Sequence, residues 1–132
     1  MGINIDMKLK KLLAESSPEL EAFATKIAKQ YGISRFELYD DSQGNIELSL
    51  IEIAKGDQGD GSGTRAMEAL CYFADQNQKL IWLSVADRNK KTGTTSKARL
   101  KKFYKRFGFV ENKGRNKRFD LSLYAAMYRL PR

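Results

Sequence analysis

The chain has 132 residues, with 24 Lys+Arg against 16 Asp+Glu, a formal charge of +8, one cysteine and no histidine. Its length fits a single domain over residues 1–132, and 42% hydrophobic with 30% charged content marks a globular chain. Absent histidine removes Ser-His-Asp and Cys-His nucleophile systems and His acid–base catalysis. A lone cysteine leaves no intramolecular disulfide and no Cys-based cluster, so no metal site is expected.

The opening stretch, residues 1–16, has neither a long apolar run nor a small-residue cleavage site. No segment approaches the ~20 apolar residues of a membrane span. A cytoplasmic chain without a membrane partner is expected. Ser17-Pro18-Glu19 reads as an N-cap, a first-turn proline and an acid suited to the helix dipole. Leu20, Phe23, Ala24, Ile27 and Tyr31 then recur at helical spacing, with Gly32 as the stop. Phe36 and Leu38 alternate with polar neighbours before a turn cluster at residues 40–45. The run Ile46 to Ala54 starts with even-numbered apolar positions and shifts to odd ones at Ile51. This predicts a hairpin whose second strand carries a bulge or is buried on both faces.

Residues 55–63 hold four glycines and lead into a helix with Met67, Leu70, Cys71 and Ala74 on one face. Cys71 in that company reads as core rather than as a nucleophile. Leu80 to Ala86 is a continuous apolar strand, as in the middle of a sheet. Ser96 to Phe107 is a basic helix with Leu100, Phe103 and Phe107 as its stripe, ended by Gly108. Phe109-Val110 and Ala125 to Leu130 are the remaining strands. The fold class is α/β (mixed α+β).

A strand running through glycines into a helix is an anion cradle, because the helix start offers unbonded N–H groups and a positive dipole end. Two standard phosphate signatures fail. Gly56 and Gly61 have the P-loop gap, but Ser62 replaces its lysine; Gly59 and Gly61 start a dinucleotide fingerprint, but Thr64 replaces its third glycine. Gln58-x-x-Gly61-x-Gly63 instead resembles the Q/R-x-x-G-x-G/A pattern of the GNAT acyltransferases. Thr64 to Leu70 resembles that family's helix after the loop, and Phe103-Tyr104-Lys105-Arg106-Phe107-Gly108-Phe109-Val110 its FYxxxGF segment. Ala125 to Pro131 is similar to the closing strand of the ribosomal-protein N-acetyltransferase branch. The resemblance covers roughly residues 46–131. Lys97 stands where the family commonly has asparagine, Leu100 where it has a small residue, and the N-terminal part is shortened.

The resemblance implies a mostly antiparallel mixed sheet with flanking helices, and acetyl-CoA as co-substrate. The N–H groups of Gln58, Gly59, Asp60, Gly61, Ser62, Gly63 and Thr64 would hold its pyrophosphate. The backbone of Ile53 and Ala54 would pair with the pantetheine arm. Tyr104 is the family's frequent general acid, a phenol of pKa near ~10 suited to reprotonating a thiolate. For the general base the candidates are carboxylates; Glu47, on the family's fourth strand, is the first choice over Glu52.

From Arg88 to Arg118, thirteen basic residues face only Glu111, a local +12 against −4 for the rest. Lys97 and Arg99, at the start of the basic helix, are candidates for coenzyme A phosphates. The excess points to an anionic acceptor, either protein or nucleic acid and ribonucleoprotein, met by residues 88–118. Phe103, Tyr104, Phe107, Phe109 and Phe119 interleave with these charges, and the helical period assigns most of them to the core. The expected activity is transfer of an acetyl group to a protein N-terminus or lysine. The alternatives are a nucleic-acid-binding or nucleobase-modifying protein on the same scaffold, or an inhibitory binder with weak or lost catalysis.

Overall fold

The computed structural model describes residues 17–53, 61–85 and 97–132. Helix α1 (Pro18–Tyr31) starts where Ser17 Oγ accepts the Leu20 N–H at 3.4 Å, and it ends where the Gly32 N–H donates to the Ala28 carbonyl. Leu20, Ala24 and Ile27 are its buried face, as the spacing predicts.

Strands β1 (Ile33–Asp40) and β2 (Ile46–Ile53) form the expected antiparallel hairpin. One oxygen of the Asp41 carboxylate accepts the Gln43 and Asn45 N–H groups, each at 2.8 Å, which shapes the turn. The other oxygen accepts the Trp82 indole N–H at 2.9 Å. The register steps from Leu38–Leu48 to Glu37–Leu50, so Ser49 is an extra residue in β2. That bulge explains why Ile46 and Leu48 are buried before it and Ile51 packs on the same core after it.

Helix α2 (Ser62–Gln76), β3 (Ile81–Leu83), α3 (Lys97–Lys105), β4 (Val110–Glu111), a 3-10 turn (Gly114–Asn116) and β5 (Met127–Arg129) follow. The sheet order is β1-β2-β3-β5-β4, with β2 and β3 parallel and the other neighbours antiparallel. The result is a mixed α+β fold with five strands and three helices among the described residues. The strand expected over Leu80 to Ala86 forms a ladder only over Ile81–Leu83, and the one expected over Ala125 to Leu130 only over Met127–Arg129. The local reasons are visible in the second case. The Ala125 N–H is already given to the Ser122 carbonyl, and Pro131 has no N–H to extend the ladder.

The helices share one sheet face, where Ile46, Leu48, Ile81, Leu83 and Met127 form the main core with α1, α2 and α3. On the opposite face Trp82, Tyr128 and Val110 are covered by Leu121 and Ala125 from the connection between β4 and β5. Neither that small second core nor the connection that covers it was predicted from the sequence.

One ion pair ties the main core together. Arg129 donates to both carboxylate oxygens of Asp75, at 2.8 and 3.1 Å, and through Nε to the Phe107 carbonyl at 2.8 Å. Its side chain is only 5% exposed. The Arg132 N–H adds a bond to Asp75 at 2.9 Å. Beside this cluster Gly108 sits at φ +93°, a conformation that excludes most side chains, and a Cβ there would also press on the Arg132 guanidinium. At the edge of the sheet Glu111 receives Lys101 at 2.9 Å and Lys105 at 3.2 Å from α3, with Lys113 at 3.5 Å.

Two predictions follow from these pairs. Asp75→Ala leaves a buried guanidinium without its anion, so a loss of roughly 3 kcal/mol is expected in urea denaturation. A loss under about 1 kcal/mol would show that the pair does not anchor the core. Hydrogen bonds from Lys101 and Lys105 hold the Glu111 carboxyl at about 2, below its ordinary 4.5. A depressed folded-state value means that this stabilisation is complete above about pH 4.5 and drains away as the pH falls toward 2. Glu111→Gln should therefore flatten the decline in the urea midpoint across that window, and an unchanged decline would contradict the assignment.

Candidate functional site

Gly61 is the N-cap of α2, at φ +89° and ψ 4°. This left-handed conformation favours glycine at the helix start, and among the described residues nothing lies within 4 Å of where a Cβ would stand. The helix has no side-chain cap and no acidic residue in its first turn. Its positive end is thus not answered from within its own first turn. Ser62 is buried there, Gly63 and Thr64 are half-buried, and the Arg65 N–H already bonds to the Gly61 carbonyl at 3.0 Å. Of the remaining loop candidates, Ala54, Gln58, Gly59 and Asp60 lie outside the described residues.

The described pairing of β2 with β3 is short. The parallel ladder between β2 and β3 has two residue pairs, Ile46–Ile81 and Glu47–Trp82. From Leu48 to Ile53 the described pairing of β2 is with β1 alone. The bulge at Ser49 falls where the pairing with β3 stops. In open α/β sheets ligands bind beyond the carboxyl ends of the strands, and α2 is the element that follows the carboxyl end of β2 in the chain. Ile53 is the last residue of β2 and pairs with Ile33.

Tyr104 is on α3 and 8% exposed, with its ring 5.7 Å from Phe109 and 5.3 Å from Phe103. It belongs to the core on the helix face. Glu47 pairs with Tyr39 on β1 and Trp82 on β3, and it alternates with the buried Ile46 and Leu48. It therefore lies on the opposite sheet face, within the doubly paired part of β2. Tyr104 and Glu47 are not brought together on one face. Glu52 is exposed at the rim, where Ser34 Oγ donates to its carbonyl at 2.8 Å and its carboxylate at 3.2 Å. Burial pushes the Cys71 thiol up, which suits a core residue and not a nucleophile.

Lys97 and Arg99 are exposed in the first turn of α3. The charges beyond them divide into distinct groups. Lys101, Lys105 and Lys113 surround Glu111, and Arg118 pairs with Asp120 at 2.9 Å. The Arg106 guanidinium lies over the Phe103 and Phe107 rings at 5.8 and 5.7 Å. Arg88, Lys90 and Lys91 lie outside the described residues. Among the interleaved aromatics, Phe103, Tyr104, Phe107 and Phe109 pack in or against the core as expected, but Phe119 is 87% exposed. It follows the 3-10 turn rather than a helix, so helical periodicity never applied to it.

No helix among the described residues is long and apolar enough to cross a membrane. Comparison of the chain with protein-family models, with curated proteins and with solved structures finds no match.

Proposed function

We propose that the chain is an acyl-coenzyme A-dependent N-acyltransferase with a GNAT-like fold, moving an acetyl group directly to an amine on a protein N-terminus or lysine. The observation that carries this reading is the junction of β2 with α2. The described parallel ladder of a bulged strand has two residue pairs, and the sequence after that strand passes through glycines to a helix start with no acidic first turn. Such a junction offers two chemistries side by side. The edge of β2 beyond its described ladder with β3 can hydrogen-bond an extended amide-bearing arm as an added strand would. The start of α2 can receive a pyrophosphate. Acetyl-CoA has both parts in that order. The sequence resemblance over residues 46–131 supports the same assignment.

In this reading the N–H groups from Gln58 to Thr64 take the pyrophosphate, and Ile53 and Ala54 take the arm. Lys97 and Arg99, at the start of α3, take a further phosphate. The amine lone pair attacks the thioester carbonyl carbon, a C–N bond forms, and the C–S bond breaks. Tyr104 gives its phenolic proton to the departing sulfur, and the amine releases one proton. Glu47 lies on the sheet face opposite Tyr104, so its part as the base needs its own test.

Calorimetric titration with acetyl-CoA tests the assignment. Saturable binding is expected, weakened at least tenfold by Gly61→Glu, which places a carboxylate at the positive helix end. No binding by the unmodified protein would overturn the acyltransferase reading. A second outcome concerns chemistry alone. Tyr104→Phe keeps the packed ring and removes the proton, so turnover should fall by about 10²-fold with acetyl-CoA affinity near normal. An unchanged rate would remove Tyr104 from the mechanism, and a rate unaffected by Glu47→Gln would do the same for Glu47.

A further inference from the structure

We infer that the connection between β4 and β5 is a docking surface for single-stranded nucleic acid, in which Phe119 and Tyr124 stack on bases while Arg115 and Lys117 meet phosphates. The inference does not rest on acyl transfer. Its starting point is the length and build of the connection. Two antiparallel neighbours such as β4 and β5 can be joined by a turn of two residues, yet here residues 112–126 intervene.

The connection is held as a compact loop with its ends together. The Asn112 N–H donates to the Ala126 carbonyl at 2.8 Å. The Asn112 side chain, itself buried, donates to the Ala125 carbonyl at 3.0 Å and accepts the Arg118 N–H at 2.7 Å. The Tyr128 hydroxyl donates to the Asn116 carbonyl at 2.6 Å, and Leu121 and Ala125 fill the second core. Loops tied in this way are frequently functional.

Among its exposed polar residues this anchored frame presents three large apolar side chains to solvent. Phe119 is 87% exposed, Leu123 94% and Tyr124 79%. Leu121, in the same segment, shows that the loop can bury an apolar side chain where packing asks for it. Holding two aromatic rings outward on a fixed backbone lowers the ordering cost of using them as contacts. The Lys117 ammonium lies 5.8 Å from the Phe119 ring centre, so cation and ring are presented as a unit. Among the described residues no carboxylate pairs with Arg115 or Lys117, and the nearby acids Glu111 and Asp120 are already engaged.

The shape of the charge chooses among anionic partners. Helix α3, with exposed Lys102 and Arg106, lies on one sheet face, and the loop covers the other. A groove of about 450 Å³ lined by Lys105, Glu111, Lys113 and Asn116 joins them at the β4 end of the sheet. A flat lipid surface can touch one face but not both. A flexible strand with a phosphate at every step can turn around that edge, and its bases give the exposed rings planar partners. Stacking on aromatic side chains along a basic track is how sequence-tolerant single-strand binders work.

The test is fluorescence anisotropy with a labelled twelve-nucleotide oligothymidylate and the full chain, across a salt series. The single strand should bind more tightly than a duplex of equal length. The double variant F119A/Y124A should lose at least tenfold in affinity with an unchanged salt slope, and R115Q/K117Q should lower the slope. Backbone amide shifts on adding the oligonucleotide to the unmodified protein should concentrate in residues 113–125. Three results would overturn the proposal. They are oligonucleotide affinity untouched by F119A/Y124A, displacement by polyglutamate at equal charge, or a double variant that loses binding to phosphatidylserine vesicles while keeping the oligonucleotide.

Discussion

The guanidinium of Arg129 is the constraint around which the molecule is arranged. Charged groups are costly to bury, and this one is tolerated because planar, multidentate donation matches what surrounds it. Two of its nitrogens meet Asp75 on α2, and a third meets the carbonyl of Phe107, just beyond α3. A lysine offers no such fork. The pair therefore fixes three elements in one geometry, the end of α2, the turn after α3 and the last strand. Helix α2 has 15 residues and so spans about 22 Å. Its clamped carboxyl end and its glycine-led amino end are opposite tips of one rod, and the clamp fixes where the proposed phosphate cradle points.

The features legible in the sequence are those whose signal is local. Ser17-Pro18-Glu19 declares its helix start through neighbouring atoms, and Leu20, Ala24 and Ile27 declare its buried side through spacing. The change of parity at Ile51 left a bulge or burial on both faces open, and the register step at Ser49 is a bulge. The stripe Leu100, Phe103 and Phe107 foretold which side of α3 meets the core. Arg129 could not be read that way, since its partner is 54 residues distant and an arginine in a terminal strand looks like a surface residue. Nor could the loop from Asn112 to Ala126, whose buried members Leu121 and Ala125 follow neither a helical nor a strand period.

The candidate site shows the same division. Gly61, Ser62, Gly63 and Thr64 stand at a helix start because glycines after a strand and before an apolar helical period permit little else. Tyr104 is the buried residue of α3, its ring packed toward Phe109. What the sequence withheld is the relation between elements. Glu47 lies behind the sheet from Tyr104 because strand side chains alternate and because Ile46 and Leu48 claim the helix side. The thirteen basic residues likewise read as one run along the chain, but in space they divide. Of the described ones, some neutralise Glu111, Arg106 and Arg118 lie over aromatic rings, and others face outward.

The position of β5 has a consequence for how the molecule assembles. In sequence it follows β4, but in the sheet it lies between β3 and β4. During synthesis the hairpin of β1 and β2 can pair as soon as it emerges, since its contacts are local. β4 has no such option, because among the described residues the strand that joins it to the sheet is β5, made later. Until Met127–Arg129 arrive, the seam between β3 and β4 stays unzipped and Asp75 waits without its guanidinium. Closure of the sheet and formation of the ion pair are thus one event, which waits until β5 has been made.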